Sequence, residues 1–259
     1  MITQSWLLLA SGGLVSGILA GFLGIGGGFI IVSLLVTLGY TPVQALATSS
    51  LVVLVSSVSG SVYNWRMGYL DPKRIIYLAL PALVTAQIGV YWAIRIPPYL
   101  LLLTFGIFLL ANIYLVQLRK QLTVEERNSG EQLLNPVLSK IGTGGIAGFL
   151  AGLLGIGGGM IMVPLQMLLL GEQIKVAIRT SLGVIVSAAV STCIVHASHG
   201  NVLFLQGLIL GGGGLLGTQI SSRILPKLPD YLLSKIFSLF LVTMSISMFW
   251  QAWKIYQGF

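Results

Sequence analysis

Charged residues are scarce in this sequence, and their scarcity excludes most classes of soluble protein. Only 8% of the 259 residues are Asp, Glu, Lys or Arg, whereas a soluble domain carries about 25%. Hydrophobic residues make up 56% of the chain, so its few charges could not cover a water-facing surface. This composition excludes an ordinary cytoplasmic enzyme, a nucleic-acid binder and a disordered chain. It predicts an integral membrane protein surrounded by the lipid bilayer.

Acidic residues and cysteine are scarcer still. The six acids all fall in loops or at the ends of apolar segments, and they are Asp71, Glu125, Glu126, Glu131, Glu172 and Asp230. No carboxylate is therefore expected mid-membrane, where coupling to protons or sodium usually places one. The single Cys193 excludes a disulfide framework and a cysteine-based metal site. Since HExxH and Ser/His/Asp sets are also missing, the sequence predicts no enzyme, no cofactor and no metal site.

Apolar stretches, in contrast, account for most of the chain. Six of them have close to the ~20 residues with which a helix spans the hydrocarbon core, and two are far too long. The stretches are about 5–38, 43–64, 73–94, 98–118, 138–170, 176–198, 202–223 and 231–253. The two long ones, 5–38 and 138–170, each contain a glycine cluster. The one polar stretch of any length, 119–137, is expected to be an exposed linker.

The chain repeats itself across this linker. Residues 17–35 read GILAGFLGIGGGFIIVSLL and residues 148–166 read GFLAGLLGIGGGMIMVPLQ, with thirteen of nineteen positions identical. So many identities are too many for chance, even in a composition this biased. The sequence therefore predicts two homologous transmembrane repeats joined by the linker, with bounds 1–118, 119–137 and 138–259.

The basic residues indicate how the two repeats are oriented. The net charge of +8 is interpreted as a set of orientation signals, because cytoplasmic loops carry an excess of Lys and Arg. If each long stretch folds back as a hairpin, one side holds twelve basic residues and the other holds two, Arg95 and Lys254. A single crossing per stretch gives eight against six, which predicts nothing. The twelve lie in the loops 65–74, 118–140, 171–179 and 223–235.

This distribution predicts an all-α polytopic membrane protein with two inverted repeats. Each repeat has a glycine-broken hairpin followed by three transmembrane helices. The linker is expected on the cytoplasmic side of the cell's inner (plasma) membrane, and both termini are expected outside.

The glycine clusters are the predicted substrate site. Each glycine in a helix interior costs about 1 kcal/mol relative to alanine, so the helix should break at a cluster of them. A helix that restarts after the break offers free N–H groups and a positive dipole end, and two such ends near the midplane would form an anion site. The alternative is that the glycines only permit close helix packing. The candidate site glycines are Gly26, Gly27, Gly28, Gly157, Gly158 and Gly159.

Polar side chains that recur in both repeats complete the candidate site. Ser49 and Ser50 in the first repeat, and Thr180 and Ser181 in the second, could donate to an oxyanion or could bond to their own helix turn. Arg179 is either a counter-charge or an anchor at the cytoplasmic interface. The repeat also pairs two further residues, Gln87 and Gln219, whose amides could contact substrate or join helices.

The sequence resembles the TauE/SafE family of sulfite and organosulfonate exporter permeases. The resemblance rests on GFLGIGGGFIIVSLL at 21–35 and GLLGIGGGMIMVPLQ at 152–166, and on the polar patches at 48–50 and 180–181. It implies a membrane carrier that exports small sulfur-containing anions such as sulfite. The alternatives are an importer or a proton-linked carrier of another small anion, using His196, and a non-transporting membrane scaffold. A homo-oligomer is possible, and no nucleic-acid partner is expected.

Overall fold

The computed structural model describes residues 2–93, 96, 100, 103–104, 106–107, 110, 136–154 and 159–256. In this part of the chain every regular element is helical, as the composition predicts. A single 3₁₀ turn, Leu225–Lys227, follows the eighth helix. The α-helices are α1 (Ile2–Leu23), α2 (Gly28–Thr37), α3 (Pro42–Arg66), α4 (Pro72–Ala93), α5 (Pro136–Leu154), α6 (Gly159–Leu169), α7 (Ile174–Ser198), α8 (Phe204–Ile224) and α9 (Asp230–Tyr256).

The helices fall into two length classes. Four of them in the described chain are long and apolar enough to cross a membrane, over Trp6–Leu23, Val43–Arg66, Ile174–Ser198 and Asp230–Ser247. The helices α4 and α8, with 22 and 21 residues, also have spanning length. In contrast, α2 has 10 residues and α6 has 11, so each covers only about half of a ~30 Å hydrocarbon core. The fold is that of an all-helical membrane protein with two half-length helices.

The first long apolar stretch breaks at its glycine cluster and reverses direction. Three glycines of the turn have positive φ, with 67° at Gly24, 73° at Gly26 and 75° at Gly27. After the turn, α2 runs back along α1, because Gly27 lies against Ser16 and Leu34 lies further along against Gly12. This reversal is the hairpin that the stretch's excess length predicts.

The second long stretch is interrupted at the same place in its repeat. The helix α5 ends at Leu154 and α6 begins at Gly159, and the two helices are in contact. The intervening residues 155–158 lie outside the described part of the chain, and so do the predicted site residues Gly157 and Gly158.

Glycines also mediate close packing between α1 of the first repeat and α8 of the second. A Cβ atom at Gly13 would meet the backbone of Leu210, and one at Gly17 would meet the backbone of Gly214. Both numbers rise together, so α1 and α8 run parallel with their backbones in contact. Small residues spaced four apart allow such an approach in membranes, where van der Waals packing drives association.

The packing of α5 on α4 reproduces this contact. Gly144 lies against the backbone of Leu78, and Gly148 lies against the backbone of Ala82. In the repeat alignment Gly144 and Gly148 correspond to the glycines of α1 described above. The first helix of each repeat therefore packs in parallel on the fourth helix of the other repeat, so the halves interlock.

The equivalent helices α3 and α7 cross at the centre of the bundle. Leu182 lies 3.1 Å from the Cβ position of Gly60, and Ile185 packs in one apolar cluster with Val53. The numbers rise in opposite directions along the contact, so α3 and α7 run antiparallel.

Two ion pairs gather three loops at one end of the bundle. Arg74 Nη2 lies 2.8 Å from Glu172 Oε1, and Lys175 Nζ lies 3.1 Å from Asp230 Oδ1. The four residues belong to 65–74, 171–179 and 223–235. Loops that the basic-residue count assigns to one side thus lie together.

Candidate functional site

The start of α6 meets the glycine turn of the first repeat in space. Gly159, the first residue of α6, lies against the carbonyl oxygen of Gly24, and its Cβ position is 2.7 Å from Ile25 Cα. The first turn of one half-length helix therefore touches the turn that precedes the other. This contact brings together the described parts of the two clusters that the sequence identifies as the site.

The meeting point lies near the middle of the central helix pair. The Cβ position of Gly26 is 2.8 Å from Val53 Cγ1 and 3.5 Å from Ile185 Cγ2. Gly159 also lies against Ile185. Val53 and Ile185 are both close to the midpoints of their 25-residue helices, so the first glycine turn and the start of α6 are at about half the height of the bundle.

Two buried serines tie down the carbonyl groups of the first turn. Ser16 Oγ on α1 donates to the carbonyl oxygen of Gly27 at 2.8 Å, and Ser181 Oγ on α7 donates to that of Gly24 at 2.8 Å. Both serines are 0% exposed. These two carbonyl groups are satisfied, and the start of α2, which has no side-chain cap, leaves N–H groups of its first turn without partners in the helix.

Of these two serines, Ser16 is absent from the sequence-based candidates. It is a polar residue in an apolar helix, one position before the repeated motif, and the second repeat has Ala147 at the corresponding place. Apart from Arg179, the polar candidates recur in both repeats, and a polar residue present in only one copy carries no such signal.

The serines of the first polar patch bond to their own helix. Ser49 Oγ donates to the carbonyl oxygen of Leu46 at 2.8 Å, and Ser50 Oγ donates to that of Ala47 at 2.6 Å. Both are buried. Ser49 lies nearer the glycine turn, with its Oγ 3.9 Å from the Cβ position of Gly28. Their protons are thus committed to backbone, and each hydroxyl must rotate before it can donate to a ligand.

The second patch is also buried, with Thr180 4% and Ser181 0% exposed. Ser181 Oγ lies 2.9 Å from the carbonyl oxygen of Ile178 as well as close to Gly24, so it reaches both its own helix and the other repeat. In the first repeat Thr48 has a different task, because its Oγ1 accepts from Leu203 N at 3.0 Å at the start of α8.

Arg179 stacks on an aromatic ring at the end of the bundle. Its Cζ lies 3.9 Å from the centroid of Tyr69, in the loop between α3 and α4. This geometry is a cation–π contact between the two repeats. No hydrogen bond or ion pair joins the Arg179 side chain to the glycine turn in the described part of the chain.

The paired glutamines have unlike surroundings. Gln87 is exposed on α4, whereas Gln219 lines a groove between α3 and α8 together with Tyr63, Arg66 and Arg223. The repeat places the two glutamines at equivalent positions in the sequence, but their neighbours in the structure differ.

Gln166 is a buried polar residue that the sequence-based candidates omit. It is 0% exposed, and its Nε2 donates to the carbonyl oxygen of Ala177 at 3.3 Å, joining α6 to α7. Its Oε1 has no partner among the described residues. Like Ser16, it is polar in only one copy, since the first repeat has Leu35 at the corresponding place, so recurrence between the repeats could not identify it.

Comparison with known proteins gives a family match over most of the chain. The family model described as "Sulfite exporter TauE/SafE" matches residues 9–248. The match includes both glycine clusters, both polar patches and all the helices that carry the geometry above, apart from the outer ends of α1 and α9.

Similar curated proteins come from bacteria and archaea. A "Probable membrane transporter protein" of Xylella fastidiosa strain Temecula1 is 30% identical, covering 98% of each chain. The probable membrane transporter protein YunE of Bacillus subtilis is 28% identical over 87% of this chain and 90% of its own. One from Methanocaldococcus jannaschii is 26% identical over 88% and 91%. No solved structure matches the chain.

Proposed function

Because the chain belongs to the sulfite exporter TauE/SafE family of membrane transporters, we propose that it carries a small sulfur-containing anion, such as sulfite or an organosulfonate, out of the cytoplasm. The single observation that carries this proposal is the contact between Gly159 and the turn at Gly24 and Ile25. Half-length helices whose starts lie together at half height would offer backbone N–H groups and positive dipole ends to an anion that crosses the membrane.

Binding in this proposal is mainly the work of the backbone. The start of α2 has no side-chain cap, and the carbonyl groups of Gly24 and Gly27 already accept from serines. An oxyanion is therefore met by donors with few competing acceptors. Ser49 is the nearest hydroxyl that could join them by rotating away from Leu46.

Inverted repeats are part of the proposal. The antiparallel crossing of α3 and α7 supports them, and so does the parallel packing of α1 on α8 and of α5 on α4. A two-fold axis in the membrane plane would relate the hairpins, so that one enters from each side and both end at the glycine turns. The loops with twelve basic residues would then face the cytoplasm.

Transport requires the glycine turns to become accessible. All of Gly24–Gly28 is buried, and Val53 and Ile185 lie directly against the turn. An anion can therefore reach the N–H groups only when the hairpins and the α3/α7 pair move apart, first toward one side and then toward the other.

The driving force for export follows from charge. An interior-negative potential moves an anion outward with about 2.3 kcal/mol per charge per 100 mV, without a coupling ion. The acidic residues of the described chain lie at helix ends and have structural partners there. Asp71 accepts hydrogen bonds from Lys73 N and Arg74 N at the start of α4, and Glu172 and Asp230 form ion pairs.

The test is sulfite flux from liposomes containing the purified protein. We expect flux that rises with an interior-negative potential in the unaltered protein and falls at least tenfold in Gly27→Ala. At Gly27 φ is +75° and an added Cβ would lie 2.7 Å from Ser16 O, so the turn must distort.

The matched control is Gly68→Ala. Its φ of +71° imposes the same backbone strain, about 1–2 kcal/mol, but an added Cβ meets nothing within 4 Å. Flux should survive this change. Equal losses of flux in the two variants would contradict the proposed site. A flux that does not change with the imposed potential would contradict the proposed driving force.

A further inference from the structure

A groove with a charged end runs between α3 and α8. Its volume is about 420 Å³, and it is open along one side. Arg66 and Arg223 stand in the last turns of the two helices, at the same end of the groove. The groove is lined by Leu54, Val55, Val58, Ser59, Val62, Tyr63, Arg66, Leu215, Gln219 and Arg223.

The two arginines reach the same height because α3 and α8 run parallel. Ser59 Oγ donates to the carbonyl oxygen of Leu215 at 3.2 Å, and Thr218 Cγ2 lies 2.8 Å from the Cβ position of Gly60. From the level of Gly60 and Thr218 each helix continues for about one and a half turns to its arginine, at 3.6 residues per turn. Both guanidinium groups are exposed, and neither forms an ion pair with a carboxylate of the described residues.

The remaining length of the groove is apolar and matches one leaflet of a bilayer. From Arg66 back to Leu54 the helix rises about 18 Å, at 1.5 Å per residue, which compares with about 15 Å for half of the hydrocarbon core. Val58 and Val62, both exposed, form its wall on α3. A ligand that fits must therefore be anionic at the membrane surface and apolar down to the midplane.

We propose that this groove binds an anionic phospholipid. Its phosphate is held between Arg66 and Arg223, because charge-assisted guanidinium–phosphate bonds are the strong ones. The amide of Gln219 and the hydroxyl of Tyr63 are placed to bond the headgroup or glycerol. One acyl chain lies along Val58 and its apolar neighbours. Basic pockets between transmembrane helices are a known type of lipid headgroup site, and this one is independent of the anion carried at the glycine turns.

Native mass spectrometry of the detergent-solubilised protein tests this proposal. We expect phosphatidylglycerol to bind at least tenfold more tightly than zwitterionic phosphatidylcholine. Arg66→Gln/Arg223→Gln should reduce the preference to twofold or less. The control Lys73→Gln/Lys227→Gln removes the same charge from two exposed lysines at the same end of the bundle, and it should keep the full preference.

A third arm separates a lipid from a free anion. Inorganic phosphate at millimolar concentration should not displace phosphatidylglycerol, and Val58→Trp, which fills the apolar wall and leaves both arginines, should weaken the lipid at least fivefold. Displacement by phosphate, no effect of Val58→Trp, or equal binding of the two lipids would overturn the proposal. If the double arginine variant does not fold, the effect of Val58→Trp and the comparison of the two lipids still test the proposal.

Discussion

Single hydroxyl groups in this protein differ sharply in what they hold together. Ser181 and Ser187 are both on α7 and both lie within hydrogen-bond distance of a carbonyl three residues earlier. Only Ser181 also reaches the other repeat, at the carbonyl oxygen of Gly24. The sequence identifies Ser181 from its recurrence, but not this bond, because the partner lies 157 residues away.

Ser181→Ala should therefore destabilise the protein more than Ser187→Ala. The first change leaves the buried Gly24 carbonyl without its cross-repeat donor, at a cost of about 1–2 kcal/mol, whereas the second removes only a bond within one helix turn. Thermal unfolding of the two variants in detergent measures the difference. Equal melting temperatures would mean that the bond to Gly24 contributes nothing to the turn.

Arg179 shows the limit of prediction at the level of residues. Its sequence neighbours Ile178 and Ser181 both approach Gly24, so proximity along the chain favours a role at the turn. The helix directs its side chain elsewhere, onto Tyr69. That aromatic partner lies in a loop of the other repeat, which no local pattern connects to α7.

At the level of helices, the glycines have two separate uses, and the sequence alone offered them as alternatives. Gly26 and Gly27 supply the positive φ angles of the break, which the excess length of the stretch 5–38 predicts. Gly13 and Gly17 instead let α1 approach α8. The sequence does not show which glycines allow close helix packing, because the partner helix is unknown until the fold is known.

This packing predicts a strong position dependence for alanine. Gly17→Ala would bring a methyl group against the backbone of Gly214, and backbone cannot yield as a side chain can, so we expect a loss of about 1–3 kcal/mol. Gly212→Ala on α8 is the control, since its Cβ position has nothing within 4 Å.

Thermal unfolding again provides the measurement, with fluorescence or scattering as the signal. A melting temperature for Gly17→Ala that equals that of Gly212→Ala would show that α1 and α8 are not in backbone contact in the membrane.

For the whole molecule, the basic residues carried more information than any motif. Their distribution grouped the loops 65–74, 171–179 and 223–235, and the ion pairs of Arg74 with Glu172 and Lys175 with Asp230 bring those loops together. The interlocking of the halves was beyond sequence analysis. Repeats reveal which helices are equivalent, but not whether each packs within its own half or on the other.

The orientation in the membrane remains a prediction, and the lone Cys193 makes it easy to test. In a Cys193→Ala background, single cysteines in place of Lys73, Lys227 and Asn201 can be treated with a membrane-impermeant maleimide that is added outside intact cells. We expect Lys73→Cys and Lys227→Cys to be protected from an impermeant maleimide, and Asn201→Cys to react. The opposite pattern would mean that the topology is the reverse of the predicted one. Labelling of Lys73→Cys alone would contradict the prediction that Lys73 and Lys227 lie on the same side of the membrane.

The parallel contact between α1 and α8 also has a consequence for how the protein is made. Gly17 leaves the ribosome 197 residues before its partner Gly214. At 5–20 residues per second this is a delay of roughly ten to forty seconds. During that time the small-residue face of α1 must rest against lipid, the insertion machinery or a provisional helix partner. The first half is therefore expected to reach its native arrangement only when α8 has been inserted, so that chains truncated before α8 are exposed to membrane quality control.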